Sequence, residues 1–288
     1  MKDIILAETA GFCFGVKRAV DKVYELSESE EKVYTYGPII HNDEVVKDLE
    51  SKGIITLRSE EELKSVKDGI VVIRSHGVPK YINDYLDDNN IKYVDMTCPF
   101  VKRIHNIVSS ENERAVVIAG SPVHPEVMGI CGWCNGEATV IETEEQAVNF
   151  AENNADAITL VSQTTFNFNK FKEFVEIFQK KGYDVNVVNT ICDATRKRQC
   201  EAHDIAVKAD VMIVIGDKHS SNSRKLYDIC SKECEDSCFV QTLTEFMSDE
   251  FQGIRDKLCN VHTVGITAGA STPNKIIEEV QNYVRTNF

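Results

Sequence analysis

The stretch Asp95-Met96-Thr97-Cys98-Pro99-Phe100-Val101-Lys102-Arg103 joins a short apolar run, Tyr93–Asp95, to a helical pattern that carries a basic pair. A cysteine stands at the junction. The arrangement occurs twice more, with Cys13 followed by Lys17-Arg18 and Cys192 followed by Arg196-Lys197-Arg198. The three cysteines lie 85 and 94 residues apart, so they cut the 288-residue chain into near-thirds. Each helical pattern leads to a strand pattern that ends in a glycine: Gly37, Gly120 and Gly216, which lie 24, 22 and 24 residues past the cysteine. Four residues beyond each glycine stands a polar, ligand-type residue: His41, His124 and Ser220. A second polar loop follows in each third: Ser75-His76-Gly77, Gln163-Thr164-Thr165, and Thr267-Ala268-Gly269-Ala270-Ser271. Three cysteines at thirds of a cysteine-rich chain can be chance. Matching glycines and matching polar loops point to an internal repeat.

Apolar runs of four or five residues alternate with helix-length amphipathic stretches along the chain. Strands are expected at Ile4–Ala7, Val33–Tyr36, Ile54–Leu57, Ile70–Ile73, Tyr93–Asp95, Ala115–Ala119, Ala138–Ile141, Ile158–Val161, Val185–Asn189, Val211–Ile215 and Val261–Ile266. Helices are expected between them. Asp43–Lys52 carries Val45, Val46 and Leu49 on one face and Gly53 as a stop, and Phe168–Lys181 carries Phe171, Phe174, Val175 and Phe178. The fold class is therefore α/β: three similar α/β domains with mostly parallel sheets, in a pseudo-threefold trefoil. The expected domains are 1–97 (with the N-terminal strand), 98–190 and 191–288. Such folds bind ligands in the loops at the C-terminal ends of their strands. The three cysteines and the polar loops are then expected to meet at one central site. The acidic runs Glu28–Glu31 and Glu60–Glu62 read as solvated turns or helix starts.

With 42% hydrophobic and 27% charged residues, the chain is neither disordered, collagen-like nor coiled-coil. Thirty-two basic against 46 acidic residues leave a net charge of -14, which disfavours nucleic acid and anionic membranes as partners. An anionic ligand would need a local pocket. The apolar run Ile4–Ala7 is too short for a signal sequence or a membrane span, so a cytoplasmic location is expected. In that compartment the ten cysteines do not form a disulfide framework.

Three single thiolates far apart in sequence fit poorly to structural zinc, which favours closely spaced pairs and a fourth ligand. They suit an iron–sulfur cube, in which a missing fourth cysteine leaves one iron open to substrate. Three inert buried thiols are the plain alternative. Cys131-Gly132-Trp133-Cys134 is a single C-x-x-C, and Cys230, Cys234 and Cys238 repeat every four residues, as on a helix face. These, with Cys200 and Cys259, read as structural or incidental. His41, His76 and His124 occupy equivalent loops. Ser220-Ser221-Asn222-Ser223 before a helix, and Ser271-Thr272-Pro273 before the last one, offer hydroxyl, amide and backbone donors. Together they describe a pocket for a strongly anionic group such as a diphosphate. A carboxylate there, Glu126 in His124-Pro125-Glu126, repels such a ligand and is better explained as a proton donor or relay, with Thr164 as a hydroxyl partner. A helix-start acid and a turn threonine are the bland alternatives.

These motifs resemble those of the 4-hydroxy-3-methylbut-2-enyl diphosphate reductases, which end the non-mevalonate isoprenoid route. The match runs in order through Gly11–Val16, Gly37–Asn42, Ser75–Val78, Asp95–Pro99, His124–Val127, Gln163–Thr165, Thr190–Thr195, Ser220–Ser223 and Gly265–Ser271. It departs from the family's pattern at Ser121 and Met128. The resemblance implies a trefoil around a [4Fe–4S] cluster held by Cys13, Cys98 and Cys192, with one open iron site. It implies diphosphate binding by His41, His76, His124, Ser220, Ser221, Asn222 and Ser271, and proton delivery by Glu126 beside Thr164. It further implies two-electron reductive loss of water, giving isopentenyl and dimethylallyl diphosphates. The expected partners are the small allylic diphosphate and an external electron donor such as ferredoxin or flavodoxin, with no nucleic acid, no membrane and a monomeric chain. A redox-neutral hydro-lyase and a non-catalytic metal sensor are the competing readings.

Overall fold

The computed structural model describes residues 2–151 and 157–288. Its strands are β1 (Asp3–Leu6), β2 (Val33–Tyr36), β3 (Ile55–Leu57), β4 (Ile70–Ile73), β5 (Tyr93–Asp95), β6 (Ala115–Ala119), β7 (Ala138–Ile141), β8 (Ala157–Ser162), β9 (Asp184–Val187), β10 (Val211–Ile215), β11 (Ser237–Val240) and β12 (Thr263–Ala268). They form three four-stranded sheets, ordered β3-β2-β4-β5, β7-β6-β8-β9 and β11-β10-β12-β1. Every strand pair is parallel. If the strands of each sheet are counted from the one that ends in glycine, all three sheets share the order second-first-third-fourth. The internal repeat is thus a repeat of topology.

The N-terminal strand departs from its expected place. Sequence order puts β1 with the first domain, but it pairs with β12 in register Asp3↔Thr263 to Leu6↔Ile266 and supplies the fourth strand of the last sheet. The repeat is therefore circularly permuted. β11 is the second departure. No strand is expected at Ser237–Val240, and the cysteine spacing of four marks one helix face only if the helix runs that far; the helix Ser221–Glu233 ends at a Cys234 cap, and Ser237–Val240 pairs with β10. Cys238 lies on a strand, where an interval of four carries no common helix face.

The chain separates into two compact units. One comprises Met1–Lys17, Ile40–Asp48 and Asp193–Phe288, and the other Arg18–Ile39 and Leu49–Cys192. The first holds the sheet β11-β10-β12-β1, and the second holds the other two sheets. In the first unit, β10 is buried on both faces. Val211, Ile213 and Ile215 pack into one core with Val280 and Val284 of the last helix, while Met212 and Val214 pack into another with Ala202, Ile205 and Leu226. In the second unit, β6 divides its side chains likewise, Val117 and Ala119 against Val116 and Ile118. Burial on both faces explains the continuous apolar runs that stand where half-exposed strands would alternate.

The helix expected over Asp43–Lys52 spans Asp43–Ser51, with Val45 and Leu49 buried and Gly53 at φ +89° in the left-handed conformation that closes a helix. The helix Phe168–Lys180 buries Phe171, Phe174 and Phe178. Glu60–Glu62 open a helix capped by Ser59, whose side chain accepts from Glu62 N–H. Among the described residues, no helix is long and apolar enough to cross a membrane.

Gly265 sits in β12 between β10 and β1. A Cβ there would stand 2.5 Å from Met212 Sδ and 2.6 Å from Ile205 Cγ2. Gly265→Ala is expected to overpack this core and cost about 1–3 kcal/mol, read as a lower urea midpoint at an unchanged m-value. An unchanged midpoint would show that the neighbouring side chains yield freely.

Candidate functional site

The polar residues singled out above lie at the C-terminal ends of three strands in each sheet. After the first strand, a glycine amide donates to the end of the second strand: Gly37 to Leu57 O and Gly120 to Ile141 O at 2.8 Å, and Gly216 to Val240 O at 2.9 Å. The chain then turns out of the sheet and delivers His41, His124 or Ser220 to a helix start. After the third strand comes the second polar loop. After the fourth strand comes a cysteine.

The cysteines share one place in the backbone. Cys98 is the N-cap of the helix Pro99–Ser110, and Cys13 and Cys192 immediately precede the helices Phe14–Ser27 and Asp193–Ala206. Each cysteine amide donates to the third-strand loop of its own sheet: Cys13 to Ala270 O at 3.3 Å, Cys98 to Ser75 O at 3.0 Å and Cys192 to Thr164 O at 3.0 Å. The Cys13 and Cys98 carbonyls accept the first helical bonds, from Lys17 and Lys102, both at 2.9 Å. All three are half-buried, and none is in a disulfide among the described residues. Cysteine is a poor helix cap compared with serine, aspartate or asparagine. Its recurrence at equivalent helix starts therefore needs another reason, and sulfur ligation is one. A half-buried cysteine sulfur beside the amide end of a helix fits an anionic iron–sulfur cluster.

The other cysteines have different surroundings. Burial raises the Cys131 thiol and pushes Cys134 up to about 12, with Cys131 adding to the second shift. Burial likewise pushes Cys230 and Cys238 up to about 12 and raises Cys234. Cys234 Sγ donates to Ala209 O at 3.4 Å, and Cys134 Sγ to Ile130 O at 3.5 Å. Cys200 and Cys259 are exposed.

The first unit carries a cradle of neutral donors. Ser220 caps the helix Ser221–Glu233, its hydroxyl accepting from Ser223 N–H at 3.3 Å. Ser221 is the first residue of that helix, and Asn222 follows it, only 6% exposed. Asn222 Nδ2 and Oδ1, Ser223 Oγ, Thr267 Oγ1 and Ser271 Oγ are buried with no hydrogen-bond partner among the described residues. Buried polar atoms left unpaired cost about 1–3 kcal/mol each, so a group of them is open to partners from water or from a ligand. No side chain fits at Gly216 or Gly269, because a Cβ at either would collide with Ser223 Oγ. His41 is half-buried in the turn before the helix Asp43–Ser51, next to Asn42, whose Oδ1 accepts from Val45 N–H at 3.1 Å. Thr267 and Asn42 carry no mark in the sequence beyond membership of polar loops; their burial is what distinguishes them.

The second unit carries two histidines and an acid. His124 caps the helix Pro125–Cys131, with Nδ1 accepting from Glu126 N–H at 3.1 Å. In a neutral ring that leaves the proton on Nε2, which becomes a donor. The His76 ring stands edge-on to His124, centroids 5.5 Å apart. Glu126 is 2% exposed. Thr164 N–H donates to Glu126 Oε1 at 2.5 Å, and Thr164 Oγ1 to Oε2 at 2.8 Å. The acid and the threonine paired in the sequence reading are thus in direct contact, and the same threonine carbonyl accepts from the Cys192 amide.

Sequence patterning gives no sign of His105, a mid-helix residue. It is 4% exposed, burial pushes its imidazole down to about 4, and its ring stacks on Trp133 at 5.0 Å. A Cβ at Gly77 would stand 2.8 Å from its Cε1, so this neutral ring supports the loop that carries His76. Of the two positions that depart from the family's pattern, Met128 is 55% exposed, and Ser121 donates a long 3.4 Å bond from its N–H to Gln163 Oε1 and accepts from His124 N–H at its carbonyl at 3.0 Å.

Comparison with known proteins agrees over the whole chain. The sequence profile of the LytB protein family matches residues 4–285. A 4-hydroxy-3-methylbut-2-enyl diphosphate reductase from Caldanaerobacter subterraneus subsp. tengcongensis is 40% identical over 288 residues, covering 99% of this chain and 97% of that one. Its namesake from Aquifex aeolicus is 41% identical, covering 99% and 96%. A solved (E)-4-hydroxy-3-methyl-but-2-enyl diphosphate reductase, described as the terminal enzyme of the non-mevalonate pathway, matches at 41% identity and a TM-score of 0.68, covering 99% of both chains. The E-1-hydroxy-2-methyl-but-2-enyl-4-diphosphate reductase of Plasmodium falciparum matches at 27% identity and a TM-score of 0.89, covering 99% of this chain and 89% of that one.

Proposed function

The chain belongs to the LytB protein family, and on that premise we propose that it is a 4-hydroxy-3-methylbut-2-enyl diphosphate reductase. The reaction takes the allylic alcohol, two electrons and two protons to isopentenyl or dimethylallyl diphosphate and one water. The observation that carries the reading is the set of buried, unpartnered neutral donors on Asn222, Ser223, Thr267 and Ser271. It matches an acceptor-rich, strongly anionic ligand, and it lets a protein of net charge -14 bind one without a basic surface.

Cys13, Cys98 and Cys192 would hold a [4Fe–4S] cluster, which when bound supplies the electrons and an open Lewis-acidic iron. The remaining work falls to the chain. Ser220, Ser221, Asn222 and Ser271, with His41, His76 and His124, bind the diphosphate at the end of the substrate remote from the bond that breaks. That binding energy orients the reacting end. His124 donates through Nε2. Glu126, held by two bonds from Thr164, delivers a proton to the departing hydroxyl, so that water leaves and not hydroxide. The electrons come from an external one-electron carrier such as a ferredoxin or flavodoxin. Three α/β domains, 1–97, 98–190 and 191–288, with the first strand lent to the last sheet, form the working unit, a cytoplasmic monomer.

Protein purified without oxygen is expected to be brown, with about four irons and four sulfides per chain. It should convert the allylic diphosphate only when a reductant is present. Colourless, zinc-loaded protein would refute the cluster, and turnover without reductant would favour a redox-neutral hydro-lyase.

A further inference from the structure

The basic residues that mark the sequence repeat have no part in the chemistry above, and two of them do one job. Arg18, on the helix that follows Cys13, donates from Nη2 to Met96 O at 2.9 Å and Thr97 O at 2.7 Å. These are the two carbonyls just before Cys98. Arg198, on the helix that follows Cys192, donates from Nε to Thr9 O at 2.9 Å and from Nη2 to Gly11 O at 2.7 Å, with a further short bond to Thr9 O. These carbonyls lie on the approach to Cys13. Arg198 is only 3% exposed. One turn further along the same helix, Glu201 takes the other polarity of this loop: its carboxylate accepts from Glu8 N–H at 2.7 Å and Thr9 N–H at 2.9 Å.

The two clamps are topologically equivalent. In each, the helix entering a sheet's first strand holds the loop leaving the same sheet's fourth strand, the segment that ends in a cysteine. The Arg18 helix feeds β2 and clamps the exit of β5; the Arg198 helix feeds β10 and clamps the exit of β1. The third copy departs. Arg103 occupies the position of Arg18 after Cys98 but is exposed. The exit of β9 is instead fastened by Thr190, whose hydroxyl accepts from Ser162 N–H at 2.7 Å and donates to Ser162 O at 2.6 Å.

We propose that Arg18 and Arg198 are positioning residues that hold the backbone before Cys98 and Cys13 in the conformation that presents sulfur to the cluster. This rests on the cluster reading of the previous subsection. A flexible approach would let a sulfur swing away and admit chelator or oxygen. A planar guanidinium that grips two carbonyls at once removes that freedom, and a lysine can do so only in part. Partners one step removed from a metal ligand typically change metal affinity about 10–100-fold.

The test compares wild type, Arg18→Met, Arg18→Lys, Arg198→Met, Arg198→Lys and, as a control outside any clamp, Arg103→Met. All are reconstituted anaerobically with iron and sulfide. Three readings are taken: the rate of cluster loss to a chelator, the electron paramagnetic resonance spectrum of the reduced protein, and the melting point of the cluster-free chain. The expected result is cluster loss about tenfold or more faster in both methionine variants, an altered spectrum, partial rescue by lysine and a nearly unchanged cluster-free melting point. Retention equal to that of Arg103→Met would overturn the proposal. So would a melting point that falls in step with cluster loss, since the arginines would then be general scaffold. Should Arg198→Met fail to fold, Arg18→Met decides by the same criteria. A wild type that takes up no cluster would sink the reading beneath the proposal, a result distinct from any of these.

Discussion

Glu126→Gln is expected to keep the cluster and bind the allylic diphosphate, yet to lower kcat about 10²–10⁴-fold. The substitution is close to isosteric, and the surrounding bonds survive it. Thr164 N–H still meets an oxygen, and the Thr164 hydroxyl, a donor to Glu126 Oε2 at 2.8 Å, can turn to accept from the new amide. What is lost is the acidic proton at a side chain only 2% exposed, where water has little access to replace it. Single-turnover measurement on reduced protein separates this loss from slow electron delivery. Thr164→Val should show a smaller fall, since the backbone N–H bond at 2.5 Å still orients the acid. Near-normal turnover by Glu126→Gln would remove the carboxylate from the proton path.

Cys98→Ser is expected to abolish cluster binding and turnover while leaving the fold intact. Cys98 caps the helix Pro99–Ser110 without a side-chain cap bond, and serine is a better cap. Its amide bond to Ser75 O at 3.0 Å does not depend on the side chain. The cluster-free melting point should therefore hold or rise, and iron and sulfide should vanish from the purified protein. Cys13→Ser and Cys192→Ser should behave alike, because all three residues precede a helix and donate their amides to the third-strand loop of their own sheet. Cys134→Ala, by contrast, removes a thiol that burial keeps protonated, and should leave the cluster in place. Full iron and sulfide in Cys98→Ser would dismiss that residue as a ligand.

Much of this was readable from residue order. The glycine after the first strand, the polar residue four further on, the loop after the third strand and the cysteine after the fourth recur as local words, and local words survive in sequence. The Glu126–Thr164 pairing was legible as a contact, from an acid and a hydroxyl set in matching polar loops. β11 was hidden because Ser237–Val240 is a short run beside a cysteine spacing that mimics a helix. His105 and Thr267 were hidden because burial, not residue type, sets them apart.

The sequence by itself determined that this is an α/β protein of three repeated units with a cysteine at the head of each, because periodicity and spacing are local properties of the chain. The tertiary structure decided which strand completes which sheet, which donors lie buried without a partner, and which arginines grip the cysteine loops. β1 pairs with a strand about 260 residues away (Asp3↔Thr263), and Arg198 reaches a carbonyl 189 residues back. Parallel pairing and side-chain-to-backbone bonds join segments with no neighbouring residues in common, so their partners are chosen only when the sheets assemble.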